Sequence, residues 1–508
     1  MAKASSTKYK VFIRMYCLGT GDCFVYKFFK GRTHVYTMMV DCGSCSGERS
    51  DFLPYVTDLL KYVDNHINLL VITHEHNDHV NGFAKCKNEF ASSTLRIDEA
   101  WMAWTEDPVD PDGHASELRK KRKQMRAAFA LGMRELKTKG DAFISGLTND
   151  FYHNSMLAGQ KAFLDGLDTL ADINLDIDSG NVNVTGQPLA GMTAIKEILE
   201  EKETHIKYVH PGETRKIKEL PGLLFHVLAP PYDREAIFRH EREGKDVFRR
   251  QLQPYAPSFA LRSFLELENT TEKRDRPFGE EYVFSGQQKP SLRSTLINKI
   301  QSNTSEILPT RILYDNPQEA WRKIDTEWLY SVGTLAIRLN SHINNTSVVL
   351  ALEAKDSGDA LLLAGDAEFG SWQSWFKIDH WNEKGKAKKH FVEDLLNRTI
   401  FYKISHHLSF NGTSLEGLKH LVNQDLAAMA TLDRTRINSR WKSTMPNPYL
   451  LKELIQRCKG KLFIMDETGI KPRPSDTLDP LSLGGGVYRE AKHPQKNKPL
   501  YKEYAVTI

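Results

Sequence analysis

The sequence has no run of about 18 apolar residues, so no helix in it is expected to cross a membrane. Cysteine is scarce. Six in 508 residues are too few for a disulfide scaffold. The opening residues 1–8 lead into only a short apolar stretch, without the apolar core of a secretory leader. The expected location is therefore the cytoplasm, with thiols reduced. Cys42 and Cys45 form a C-x-x-C on a turn, and no second pair lies nearby to complete a zinc site, so they read as structural. Charge of one sign is also missing. Lys plus Arg number 69 against 65 Asp plus Glu, a net +4, so a nucleic-acid signal must be local and no membrane partner is implied. There is no internal repeat. What is present is 40% hydrophobic and 26% charged residues, which excludes a disordered chain, a collagen-like repeat and a coiled-coil rod.

The two ends of the chain carry strand character. Lys10–Tyr16, Phe24–Phe29 and His34–Val40 are apolar and β-branched, divided by Gly19-Thr20-Gly21-Asp22 and by Gly31. Asp51–Val63 has helical spacing, with Leu53, Val56, Leu59, Leu60 and Val63 on one face. Leu69–Ile72 is a short apolar run of the kind buried on both sides. Strands return at Leu223–Leu228, at the hairpin Ser347–Leu352 with Ala360–Ala364, and at Ile400–Ser405, Ala427–Leu432 and Lys461–Met465. Residues 105–215 are mostly helical and hydrophilic, and 232–340 mix charge with Gly and Pro. Both read as insertions into one scaffold spanning 8–475. Residues 476–508 read as an extended tail.

Directly after the buried strand comes Thr73-His74-Glu75-His76-Asn77-Asp78-His79. Imidazole nitrogen and carboxylate oxygen are ligands for zinc, manganese or iron. His74 and His76, two apart at a strand end, point the same way. The turn carrying Asp78 and His79 can address a second position, so one loop can serve two ions.

This motif at this place resembles the metallo-β-lactamase superfamily of hydrolases. The resemblance implies an α/β fold, an αββα sandwich with a two-metal site at one edge of its sheets and, here, two large helical insertions. Val40-Asp41-Cys42-Gly43 matches the early aspartate-glycine motif, whose aspartate supports the metal loop. Leu361-Leu362-Leu363-Ala364-Gly365-Asp366 matches the strand whose aspartate bridges the metals. Where lactam-cleaving members often carry cysteine, aspartate favours the phosphoester, thioester and lactone branches. Tyr402-Lys403-Ile404-Ser405-His406-His407 matches the last motif, with His406 the expected ligand and His407 left to move a proton. Gly19–Asp22, Val227–Pro230, the Asp366 strand and Lys403–His407 with Ser409 and Thr413 together resemble the nuclease-like domain of ComEC-type DNA-uptake proteins. Soluble relatives read H-H-G-S, and Leu408 here replaces the glycine. Many superfamily members add a histidine before the bridging aspartate. His205, His210, His226 and His342 are the candidates, with His210 and His226 foremost, and the first metal position is ligand-poor without one.

The reading is a metal-dependent phosphodiesterase, a nuclease first of all. It takes two divalent ions, zinc ahead of manganese. His74, His76, Asp78, His79, Asp366 and His406 are its ligands. Asp78, His407 and Lys403 are its catalytic groups, the last two for the leaving oxygen. The alternatives are a hydrolase of small phosphoesters or lactones, or an inactive metal-binding regulatory protein. Nucleic acid or a small phosphodiester is the expected substrate. The basic stretch Arg119-Lys120-Lys121-Arg122-Lys123, continuing through Arg126, Arg134, Lys137 and Lys139, is the candidate phosphate contact. Trp101 and Trp104 just upstream read as core ahead of base-stacking platforms.

Overall fold

The computed structural model describes residues 8–145, 166–178, 181–182, 185–238, 327–378, 390–437, 441–477 and 488–508. The chain divides into two units, 1–253 with 336–508, and 254–335. The first unit carries the sheets. Of the second, only 327–335 are described, as the first turns of the helix Glu327–Asn344.

Two sheets are built from the alternating segments. The first runs β16 (Tyr488–Lys492), β17 (Pro499–Thr507), β1 (Tyr9–Tyr16), β2 (Phe24–Lys30), β3 (Thr33–Val40), β4 (His66–Val71), β5 (Arg96–Ala103), β8 (His205–Val209). It is antiparallel from β16 to β3 and parallel from β3 to β8. The second runs β15 (Leu462–Asp466), β14 (Ala427–Asp433), β13 (Thr399–Lys403), β12 (Ala360–Leu363), β11 (Val349–Ala354), β10 (Leu223–Ala229), β9 (Thr214–Arg215). Two short strands, β6 (Ile177–Asp178) and β7 (Asn181–Val182), pair separately. The sheets face each other across one apolar core that draws residues from both. Tyr26 of β2 meets Phe401 of β13 edge-on at 6.5 Å, and Trp101 of β5 meets Phe225 of β10 at 5.9 Å. A second core lies between the outer face of the second sheet and the helices Phe369–Trp375, Phe391–Asn397 and Pro448–Cys458. On the first sheet α1 (Arg49–Tyr62) and α2 (Asn77–Lys85) bury Phe52, Val56, Leu59, Val80 and Phe83. The fold is the expected α/β two-sheet sandwich.

Two expectations are corrected, and one strand was not expected. Residues 476–508 are not an extended tail throughout. β17 pairs with β1 over seven residues, from Lys10 opposite Thr507 to Tyr16 opposite Tyr501, and buries Tyr504, Ala505 and Val506. Residues 190–215 do not belong to an insertion outside the scaffold. β8 extends the first sheet, and the helix Ala190–Glu201 lies so close to α2 that a Cβ on Gly191 would come within 2.4 Å of the Val80 carbonyl oxygen. β5 went unread because Asp98 and Glu99 interrupt its apolar pattern. α3 (Lys87–Phe90) and α4 (His114–Ser145) complete the N-terminal half. Most of the second expected insertion, 239–326 of 232–340, lies outside the described residues. Trp101 and Trp104 are core, 2% and 0% exposed. Cys42 and Cys45 are buried free thiols.

Candidate metal centre

β12 and β13 run parallel and side by side in the second sheet, and β4 belongs to the first. Just beyond them come the 73–79 loop, Asp366, and His406 with His407. Two turns fix the loop from below. Asp41 sits in the left-handed region at φ 55°, which turns its carboxylate back under the loop. That carboxylate accepts from the Thr73 N–H at 2.8 Å and from the Thr73 hydroxyl at 2.5 Å. Gly21, at φ +143°, packs where a Cβ would meet the Asp78 carbonyl oxygen at 2.5 Å, so only glycine lets this turn approach the loop.

The hydrogen bonds assign each ring's proton. Thr73 gives its hydroxyl hydrogen to Asp41, so it accepts from His74 Nδ1–H at 3.0 Å. His76 Nε2–H donates to Asn174 Oδ1 at 3.0 Å. His79 Nδ1–H donates to Asp41 Oδ2 at 2.8 Å. Thr431 gives its hydroxyl hydrogen to Asp22 Oδ1 at 2.6 Å, so it accepts from His407 Nδ1–H at 2.8 Å. Every outer nitrogen is thus a donor, so each ring in its neutral form carries its lone pair on the inner nitrogen.

Those lone pairs converge. His74 Nε2 and His76 Nδ1 lie 3.0 Å apart. His79 Nε2 lies 3.1 Å from Asp366 Oδ2, outside hydrogen-bond geometry, and has no other partner. His407 Nε2 is 3.1 Å from Asp366 Oδ2 and 3.2 Å from Asp78 Oδ2, while Asp78 Oδ1 is buried without a partner. Lone pairs facing one another in a dry site repel unless a cation stands between them. The donor set therefore fits divalent metal, with imidazole and carboxylate as borderline-hard ligands.

The site's electrostatics ask for positive charge. Burial alone would lower His79, but the carboxylates of Asp366, Asp22 and Asp78 outweigh it and raise it well above the ordinary value. Burial likewise opposes protonation of His407, yet Asp366 pushes it up to about 9. Burial would raise Asp366, but His407, His79 and Lys403 hold it well below the usual carboxylate range. Burial lowers His76 to about 4 and, helped by the neighbouring imidazoles, takes His74 well below its ordinary value. These two rings stay neutral, as ligands must.

Residues 21–150 match the family model of the metallo-beta-lactamase superfamily. The match takes in the Asp41 turn, the whole 73–79 loop and α2, and the two-sheet fold agrees with it. Both findings support assignment to this superfamily, whose members are generally hydrolytic metalloenzymes. Comparison with curated proteins gives no match.

Against the superfamily pattern, two expected roles change. The geometry brings His407, not His406, into the cluster, where Asp22, His79, Asp366 and His407 place ligand-type atoms within 4.8 Å of one another. The reason is the backbone. His406 and His407 have φ 46° and 51°, so the chain coils left-handed after β13 instead of persisting as a strand. His406 Nδ1 faces Ser409 Oγ at 2.9 Å, Asn411 Oδ1 at 3.2 Å and Glu368 Oε1 at 3.2 Å. Its ring lines a cavity beside Asp366, with Asn340, Asn344, Ile437, Trp441 and Met445 on the other walls. Lys403 does not face that cavity. Its ammonium contacts Gly365 O at 2.8 Å, Asp366 Oδ1 at 3.3 Å and the Asp22 carboxylate. With three donors and three acceptors it neutralises the Asp22–Asp366 pair. Asp22 was missed as a neighbour of the centre, although the Gly19–Asp22 turn that presents it was visible.

None of the four candidate extra histidines joins the ligand atoms. His226 bonds Glu353 and Thr214 at 2.8 and 2.9 Å, and His210 stacks near Trp104. His205 lies exposed at the start of β8, and His342 packs on the Phe238 ring at 4.2 Å. The basic helix also differs from expectation. Arg122 and Arg126 are 5% and 3% exposed and turned inward onto Glu75, and Arg119 donates to the Thr105 and Asp107 carbonyls. Lys120 and Lys123 remain exposed on the other face.

Proposed function

We propose that the chain is a metal-dependent phosphodiesterase, with nucleic acid as the favoured substrate. One observation carries the reading. Four buried imidazoles each have the outer nitrogen anchored; His79 and His407 turn the inner one to Asp366, His407 also to Asp78, and His74 and His76 turn theirs to each other. His79, His407, Asp78 and Asp366 would hold one ion. His74, His76 and the shared Asp366 would hold the other, with fewer ligands and lower affinity. Divalent ions bound there would bring the pKa of water toward neutrality and draw charge from a phosphoryl oxygen. The protein's own part is positional. Asp41 and Thr431 fix the rings of His79 and His407. Lys403 and the His406 N–H occupy Asp366 Oδ1, leaving Oδ2 for metal. His407 and Lys403 are committed within the cluster. His406, on the cavity wall, is therefore the group placed to exchange a proton with the leaving oxygen.

Aspartate at position 366 and the resemblance to ComEC-type domains favour phosphodiesters over lactams. The inward-turned arginines of α4 favour a second reading, a small phosphodiester as substrate, since they withdraw much of the expected phosphate-binding face.

The test uses the purified full chain. Hydrolysis of a bis-aryl phosphodiester is expected with zinc or manganese, abolished by chelation and restored by metal. Cleavage of linear DNA or RNA on a gel then separates the two substrate readings. A metal-loaded protein that turns over none of these substrates rules out the phosphodiesterase.

A further inference from the structure

The metal loop is fastened from outside the two sheets, in part by residues beyond those that match the superfamily. The helical segment 166–174 and α4 close over its first half. Asn77 Nδ2 donates to the Asp172 and Leu175 carbonyls at 2.9 and 3.0 Å. Glu75, between the two histidines, takes Arg122 Nε at 2.8 Å and also pairs with Arg126. Arg126 in turn donates to the backbone carbonyl of Asn174 at 3.1 Å and to that of Gln187 at 3.1 Å.

At the centre of this fastening is the Asn174 side chain, 0% exposed. Its Nδ2 donates to the Leu170 carbonyl at 3.0 Å, and a carbonyl can only accept, so the amide's orientation is fixed. The same Nδ2 donates to Asn340 Oδ1 at 3.1 Å. Oδ1 is left as the sole acceptor for His76 Nε2–H, at 3.0 Å. Were Asn174 absent, His76 could carry its proton on either nitrogen, and the tautomer with Nδ1–H would point a hydrogen, not a lone pair, at His74 Nε2.

We infer that Asn174 is a positioning residue for the His74–His76 half of the centre. It sets the tautomer and ring angle of His76 from within the segment first read as an insertion. The inference rests on the proposed metal reading. Outer partners of this type are worth roughly 10- to 100-fold in metal affinity, and they matter most where ligands are fewest.

The test measures metal content and affinity by competition with a chromophoric chelator on the full-length protein, together with the absorption spectrum of the cobalt-substituted form. Asn174→Leu keeps the volume and removes the acceptor. It is expected to weaken the lower-affinity ion at least 10-fold and to change the cobalt spectrum. The higher-affinity ion stays bound and serves as the control for folding. Asn174→Asp keeps the acceptor and is expected to retain the lower-affinity ion. A residue that merely packs gives the reverse order, because an Asp carboxylate would set an acceptor oxygen against the Leu170 carbonyl and Asn340 Oδ1, whereas Leu, though it donates to neither, adds no such repulsion. Equal affinities in Asn174→Leu and wild type, or Leu binding better than Asp, overturn the role of Asn174 alone. A wild-type protein that takes up no zinc, manganese or cobalt overturns both this inference and the function it rests on.

Discussion

His406 and His407 are neighbours in sequence and opposites in environment. His407 has one nitrogen tied to Thr431 and the other turned to Asp78 and Asp366. His406 reaches away to Ser409, Asn411 and Glu368. His407→Ala is therefore expected to lose the higher-affinity ion, seen as about one equivalent less metal by elemental analysis. His406→Ala is expected to keep its metal and lose turnover by roughly 10²- to 10⁴-fold, the usual worth of a proton-transfer group. Full metal content in His407→Ala would return the ligand role to His406. The spacing of His74, His76, Asp78 and His79 made that loop legible, because all four sit on one short turn. The choice between His406 and His407 was not legible, because it depends on two left-handed residues that no apolar pattern announces. Lys403 was misassigned for a similar reason. A strand-end lysine looks available until the carboxylates it neutralises, far upstream at Asp22 and nearby at Asp366, are folded against it.

Among the elements, those with unbroken apolar runs were placed to within a few residues, as β10, β13, β14 and β15 show. The ones that went unread depend on distant partners. β17 begins in a Pro- and Lys-rich stretch and becomes a strand because β1 offers it a hydrogen-bonding edge. α4 was legible as a basic helix but not as an internal clamp. Its Arg122 Nη2 lies 2.6 Å from Glu106 Oε1, and Lys196 Nζ 2.9 Å from Glu106 Oε2. Burial would raise the Glu106 carboxyl, but Arg122 and Lys196 outweigh it and hold it well below its ordinary value. A depressed carboxyl stabilises the fold above its unfolded pKa of about 4.3, and that contribution fades as pH falls toward the folded value. Glu106→Gln is therefore expected to be less stable than wild type at neutral pH, with a difference that shrinks below about pH 4. Urea denaturation at stepped pH values reads this directly. A constant difference across the range would mean that Glu106 is not the group being titrated.

For the molecule as a whole, the question is which side of α4 does what. The helix carries its arginines inward to the metal loop and Lys120 and Lys123 outward, and the net charge of only +4 leaves no general attraction for a polyanion. If nucleic acid is the substrate, outward lysines are the phosphate-binding groups that this region can supply. Replacing Lys120 and Lys123 by Gln should then weaken DNA or RNA binding about equally across sequences. It should also flatten the salt dependence, by a slope of roughly 0.7–0.9 for each phosphate no longer neutralised. Metal content and turnover of a small phosphodiester should not change, since neither lysine touches the loop. Arg122→Gln and Arg126→Gln should behave in the opposite way. They leave Glu75 buried without its cations, so metal loading falls whatever the substrate. Unchanged nucleic-acid binding in the lysine variant, with the same salt slope, would remove α4 as a phosphate-binding element and leave the small phosphodiester as the better substrate. The two pairs of substitutions lie within one short stretch of the same helix, so a difference between them cannot come from the helix as an element. It reports which face of the helix the chemistry uses.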